Sequence, residues 1–319
     1  MLRWGILCVS LLWTALAHSH TTQSMLPEYQ RISGVSGNLN SVGSDTLGNM
    51  MAAWSDGFKR LYPGVNVQLQ TPGSASAAPA LVEGTAQLGP MSRPMRVSEE
   101  NAFQARFGYP PTAVPVAIDA MAVYVHQDNP LQRINFNQLD AIFSRTLWCG
   151  ASEPITRWGQ LGLTGRWQHR DLQLFGRNSV SGTYGYFKQA ALCRGDFRAN
   201  VNEQPGSASV VQSVASSLNA IGYAGMGHQA SGAKMLAVGH PGKPAVLPTQ
   251  QSIRDGEYPL TRYLYLYINK APNAPLAPLE AAFMGYILSA QGQKEVSREG
   301  YIPLPAQVVH AQRHALGLD

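Results

Sequence analysis

Apolar residues recur every three or four positions at Leu47, Met50, Met51, Trp54, Phe58 and Leu61, the period of a helix with one buried face. Ser44, Asp45 and Thr46 stand just before it and carry the oxygens that cap helix starts. Val65-Asn66-Val67-Gln68-Leu69 then alternates apolar and polar, as a half-buried strand does. Pro72-Gly73-Ser74 opens an alanine-rich helix toward Leu81, and Ala86-Gln87-Leu88 predicts a short strand ending in the turn over residues 89–94. The unbroken apolar run over 114–125 and the stretch Y-P-L-T-R-Y-L-Y-L-Y-I over 258–268 predict two buried strands. A last helix is expected from about 276 to 288. Strands alternating with helices predict an α/β chain on a mostly parallel sheet, or two such sheets.

Four turns share one design: a strand, a small-residue turn with a hydroxyl, and usually a helix start. They are Gly43-Ser44-Asp45-Thr46, Gly73-Ser74, Met91-Ser92-Arg93, and Arg177 with Ser181-Gly182-Thr183. The last gathers a permanent forked cation, two hydroxyl donors, a glycine that admits close backbone approach, and the first free N–H groups of a helix. In open α/β sheets ligands sit at the carboxyl ends of strands, so four such turns converging would form a cage of donors for a small oxyanion. Each alone is also an ordinary N-cap. An internal echo supports two lobes on one plan: Pro72-Gly73-Ser74-Ala75-Ser76 returns as Pro205-Gly206-Ser207-Ala208-Ser209, each followed by a helix-like segment and a strand reaching a glycine.

The 319 residues suffice for two α/β lobes. The net charge of +5 is scattered, with no basic-aromatic patch, which argues against a nucleic-acid partner. Arg3, the apolar run 4–16 and the small-x-small site Ala15-Leu16-Ala17 predict a cleaved secretory signal over 1–17 and an exported protein. Cys8 falls in that signal. The remaining pair, Cys149 and Cys193, predicts one disulfide in an oxidising compartment, with two buried thiols as the alternative. No cysteine or histidine cluster has zinc spacing, so no metal or cofactor is expected. His18 and His20 flank the cut and are not taken as a metal site. An enzyme is disfavoured: no Gly-x-Ser-x-Gly elbow occurs, and Ser231-Gly232-Ala233-Lys234 lacks the companion motifs of Ser-x-x-Lys hydrolases.

From about residue 42 to 304 the chain resembles the periplasmic phosphate-binding proteins of ABC transporters, a branch of the two-lobed substrate-binding superfamily. The marks are G-S-D-T (43–46) before W-S-D-G-F, P-G-S (72–74), the turn 89–94, and R-N-S-V-S-G-T (177–183). The resemblance implies a two-lobed periplasmic binding protein fold with a cleft between the lobes. Lobe I is expected over 38–116 and 259–319, and lobe II over 117–258. It implies inorganic phosphate as ligand, a permease of the inner membrane as partner, and a monomer in the periplasm. Matched by position, the ligands would be Asp45, Thr46, Ser74, Ser92, Arg177, Ser181, Gly182 and Thr183, with Ser44 added on its chemistry. Arg93 either adds charge to that site or pairs with an acid at the lobe edge. Two departures stand out. Ser92 occupies the place where the well-studied form has an Asp that reads phosphate's proton, and Ser179 replaces an Asp that braces the arginine. Asp45, the only carboxylate in the four turns, either takes over proton reading or caps its helix. A phosphate sensor, an adhesive surface protein and a weak phosphatase are the alternatives on the same fold.

Overall fold

Two long apolar strands organise the molecule. The computed structural model describes residues 25–319, so the expected signal over 1–17, Cys8, His18 and His20 lie outside the described residues. The chain enters through β1 (Gly37–Val42), α1 (Gly48–Leu61), β2 (Val65–Gln70), α2 (Ala77–Val82), β3 (Gly89–Met91) and α3 (Val97–Phe107). It then runs along β4 (Thr112–His126) into β5 (Arg133–Asn135), α4 (Phe136–Phe143), β6 (Gln173–Arg177), α5 (Gly182–Ala191), β7 (Asn202–Gln204), α6 (Ser207–Ser216) and β8 (Ala220–Gly225). After β9 (Ala233–Met235), β10 (Ala237–Gly239) and α7 (Gln250–Arg254), it returns along β11 (Thr261–Ile268) to α8 (Pro278–Ile287), α9 (Ala290–Arg298) and α10 (Ala306–Leu316).

The largest sheet runs in the order β3-β11-β4-β8-β6-β7, with β9 also on β4. Its strands are of mixed direction. β6 pairs parallel with β7 and β8, whereas β4 is antiparallel to β11 and β8, and β11 to β3. This corrects the expectation of a mostly parallel sheet. The physical reason is the path of the chain: it crosses between lobes outward on β4 and homeward on β11, so the two crossings must run in opposite directions.

The two halves of β4 serve different cores. Val114, Val116 and Ala117 pack with the buried face of α1 (Met50, Met51, Trp54, Phe58), Leu264, Leu266 and Ile268 of β11, and Phe283 and Ile287 of α8. Ala120, Met121, Val123 and Val125 pack instead with Leu139 and Phe143 of α4, Phe187 of α5, and Tyr223. Burying apolar area stabilises each cluster by roughly 25 cal/mol per Å², and the crossing strands join them.

The α1 period and the strands at 65–69, 114–125 and 258–268 match the observed elements within a few residues. The short strand expected at 86–88 forms at Gly89–Met91, with Leu88 making only an isolated bridge to Ser41. The helix expected at 276–288 is α8, but it is not the last. α9 buries only Gly292, Gln293 and Val296, and α10 only Val309 and Leu316, too thin an apolar stripe to read as a period. Cys149 and Cys193 form a disulfide that ties the loop after α4 to the end of α5.

Candidate functional site

Three serines from three separate turns meet at one point. Ser44 follows β1, Ser74 opens the helical turn before α2, and Ser92 follows β3. Ser44 Oγ donates to Ser92 Oγ at 3.0 Å, Ser74 Oγ lies 3.3 Å from Ser92 Oγ, and the Ser92 N–H donates to Ser74 Oγ at 3.0 Å. All three are buried. The start of α5 faces them from the other lobe. Ser181 caps that helix, its Oγ accepting from the N–H groups of Thr183 and Tyr184 at 3.1 and 3.4 Å. A Cβ on Gly182 would overlap Ser74 Oγ and Ser92 Oγ, so only glycine permits this approach. Beside it the Ala75 N–H donates across the seam to the Val180 carbonyl at 3.0 Å. Gly73, at φ 137°, leaves room for that carbonyl.

The second cluster centres on Arg177, at the end of β6. Its Nη1 donates to Asp45 Oδ2 at 3.0 Å and to Ser207 Oγ at 2.8 Å, and its Nη2 to the Pro205 carbonyl at 2.9 Å. Asp45 Oδ2 also accepts from the Ser207 N–H at 2.9 Å. Asp45 therefore does not cap the helix that follows it. It reaches across and caps α6, where the N-terminal positive end favours a carboxylate. Arg177, whose bracing acid in the well-studied form is replaced here by Ser179, is braced by Asp45 and Ser207, while Ser179 is exposed. Ser207 was not among the sequence-derived candidates. The repeated Pro-Gly-Ser turn was its signal, since Ser74 and Ser207 hold equivalent places in the two copies.

The third cluster joins the lobes at the crossing strands. Thr46 Oγ1 lies 3.1 Å from Thr183 Oγ1, and Thr183 Oγ1 accepts from Arg262 Nη2 at 2.9 Å. Arg262 Nε and Nη2 both donate to Asp119 Oδ2, at 3.0 and 2.8 Å. Arg262 and Asp119 were not singled out from the sequence, because each sits inside an apolar strand run with no local motif. Arg93 donates to none of the three clusters. Its guanidinium forms a bidentate pair with Glu99 at 2.7 Å on each arm and also donates to the Pro94 carbonyl.

Burial holds the Arg177 guanidinium below its ordinary value; Asp45 opposes this and Arg262 adds to it. Burial pushes the Asp119 carboxyl up, and Arg262 pulls it back. Burial likewise pulls His228 down, against the carboxylates of Asp45 and Asp119. Among the buried side-chain atoms without a hydrogen-bond partner are Arg177 Nε, Arg262 Nη1 and Asp119 Oδ1. An unmet buried charged donor is unfavourable by itself. With the hydroxyls and the α5 terminus beside them, the two guanidinium donors suit a small anion of several oxygens. Among the described residues, no three His, Cys, Asp or Glu side chains group as a metal site, and no helix is long and apolar enough to cross a membrane.

The comparisons agree with this chemistry. A family model for the PBP superfamily domain matches residues 30–291. The phosphate-binding protein PstS of Pseudomonas aeruginosa PAO1 is 58% identical over 294 residues, covering 92% of this chain and 91% of that protein. Two solved structures share the fold. A phosphate ABC transporter substrate-binding protein from Clostridium perfringens, solved with bound phosphate, has a TM-score of 0.70 at 23% identity, covering 84% of this chain and 100% of its own. An ABC-type phosphate transport receptor from Vibrio cholerae has a TM-score of 0.63 at 21% identity, covering 83% and 100%. With its two-lobed fold, its serine and arginine clusters and this degree of identity, the chain belongs to the PBP superfamily and, within it, to the PstS phosphate-binding proteins.

Proposed function

We propose that the protein binds inorganic phosphate between its two lobes and delivers it to an ABC transporter. Lobe I, residues 38–116 and 259–319, would offer Ser44, Asp45, Thr46, Ser74 and Ser92. Lobe II, residues 117–258, would offer Arg177, Ser181, Gly182 and Thr183. The observation that carries this reading is the meeting of Ser44, Ser74 and Ser92 with the capped start of α5. Hydroxyls from one lobe and a positive helix end from the other converge where an anion would lock both. Closure excludes water, and each charge-assisted hydrogen bond then gains strength.

Asp45 acts in this reading as a latch: its carboxylate accepts from Arg177 and from the α6 terminus, both on the opposite lobe. The protein is a carrier rather than an enzyme, works as a monomer without metal or cofactor, and reaches the periplasm after removal of residues 1–17. Arg93, paired with Glu99, supports the α3 side of the site rather than the ligand. Calorimetric titration of the purified protein with phosphate and then sulfate tests the proposal. Saturable one-to-one phosphate binding that sulfate does not match is expected. Absence of phosphate binding would overturn it.

A further inference from the structure

We propose that Arg262 is a second cationic contact of the bound anion, entering the site from the crossing strand β11 and held in place by Asp119. This rests on the phosphate-binding reading above and adds to it a residue that none of the four turns contains.

The case begins with register. Arg262 and Asp119 are directly opposed partners across the antiparallel β11–β4 pair, at the level where the chain crosses between lobes. There Asp119 is fully buried and Arg262 nearly so. A lone guanidinium at such depth would be strongly unfavourable; Asp119 Oδ2 offsets this by accepting from both Nε and Nη2. That side-on grip fixes the plane of the guanidinium. The Tyr186 ring, its centroid 5.2 Å from Arg262 Cζ, covers one face. The remaining Nη2 proton goes to Thr183 Oγ1, which itself lies 3.1 Å from Thr46 Oγ1 of the other lobe.

One whole amino group of Arg262, Nη1, is then left buried and without an acceptor. Arg177 differs: both of its amino groups already donate to Asp45, Ser207 and Pro205. Arg177 keeps its unpartnered buried donor on Nε, whereas Arg262 keeps a whole terminal amino group, so Arg262 as well as Arg177 has donors left for an anion. The two cations also sense one another, for Arg262 contributes to lowering Arg177, and an anion beside both would relieve that repulsion. The charged and titratable groups near this pair include Asp119 on β4, Tyr186 on α5, Tyr223 on β8, Asp45 before α1, His228 after β8 and Tyr301 after α9. Asp119 is a positioning residue here, because it acts through the guanidinium it holds.

The experiment measures phosphate affinity by calorimetry on the acid and alkaline sides of phosphate's second ionisation, for wild type, Arg262→Gln and Arg262→Lys. A direct cation favours the dianion over the monoanion. Arg262→Gln should therefore weaken binding by about 10- to 100-fold, with the larger loss on the alkaline side, and Arg262→Lys should recover part of it. Loss equal on both sides with no recovery by lysine would overturn the proposal, as would wild-type affinity in the glutamine variant. Should that variant not fold, the wild-type protein still decides: the Arg262 side-chain N–H resonances, assigned by their absence in Arg262→Lys, should shift and exchange more slowly as phosphate is added. Unmoved resonances at saturation overturn it. Failure of wild type to bind phosphate at all would overturn the phosphate reading itself, and this inference with it.

Discussion

Replacing Gly182 with alanine separates two demands on one residue. Gly182 is the first residue of α5, and within a helix alanine is favoured over glycine by roughly 0.5–1 kcal/mol. The free protein with its lobes apart should keep its stability or gain slightly. The closed form is different. A methyl group at this point overlaps Ser74 Oγ and Ser92 Oγ and lies 3.0 Å from Ser74 Cβ, so both hydroxyls would have to turn away from the anion and the Cβ contact would still press the seam apart. The seam must open, which lengthens the bonds that the serine hydroxyls and the α5 terminus make to an enclosed anion. A hydrogen bond to a charged group contributes about 1.5–3 kcal/mol. Two such bonds lost amount to roughly 3–6 kcal/mol, or about two to four orders of magnitude in Kd. Calorimetric titration gives the affinity, and thermal unfolding with and without phosphate gives the stability. Phosphate binding within about threefold of wild type by a fully folded Gly182→Ala protein would refute the reasoning.

Three further outcomes are expected. Asp45→Asn keeps the shape of the latch but leaves Arg177 and the Ser207 N–H with a neutral acceptor, so phosphate affinity should fall by about 5- to 30-fold; a reduced preference for phosphate over sulfate in the same titrations would give Asp45 the proton-reading role as well, and an unchanged preference would deny it. Replacing Cys149 and Cys193 together with alanine should lower unfolding free energy by about 4 kcal/mol, the loop-closure estimate for their separation of 44 residues, with phosphate affinity unchanged; an unaltered denaturant midpoint would contradict this. His228 has its folded pKa lowered by burial, so the unfolded chain takes up the proton first. Stability should be full above the unfolded value of about 6.5 and fall as pH drops through it, until the folded ring protonates too. Denaturant titrations across that range should show a shallower fall for His228→Asn, and identical slopes would count against it.

Much of the site was legible in the sequence because its chemistry is local. A serine at the end of a strand and the start of a helix, or Ser-Gly-Thr after an arginine, reports how the backbone turns within a few residues. The period of α1 likewise reports which face is covered. Ser44, Ser74, Ser92, Ser181, Gly182 and Thr183 could therefore be named from spacing and residue type. The thin stripes of α9 and α10 could not be read, because α9 and α10 bury so few side chains that no period emerges.

Tertiary structure alone decided which charges meet. Asp45 and Arg177 lie 132 residues apart, and Asp119 and Arg262 lie 143 apart. Nothing in the neighbourhood of any of the four specifies its partner. Ser179 stands where the well-studied form has its bracing acid and is exposed, while Asp45 braces Arg177 from the other side of the seam. Arg93 stood in a site turn and, of its two expected fates, takes the pairing with an acid, Glu99. The sequence by itself determined the turns, the faces and the donors, since these follow from short-range backbone geometry and burial period. The pairing of buried ions, the mixed direction of the sheet and the place of Arg262 followed from the path of a chain that crosses between lobes twice. Coulomb energy in a low-dielectric interior depends on distance in space rather than along the chain.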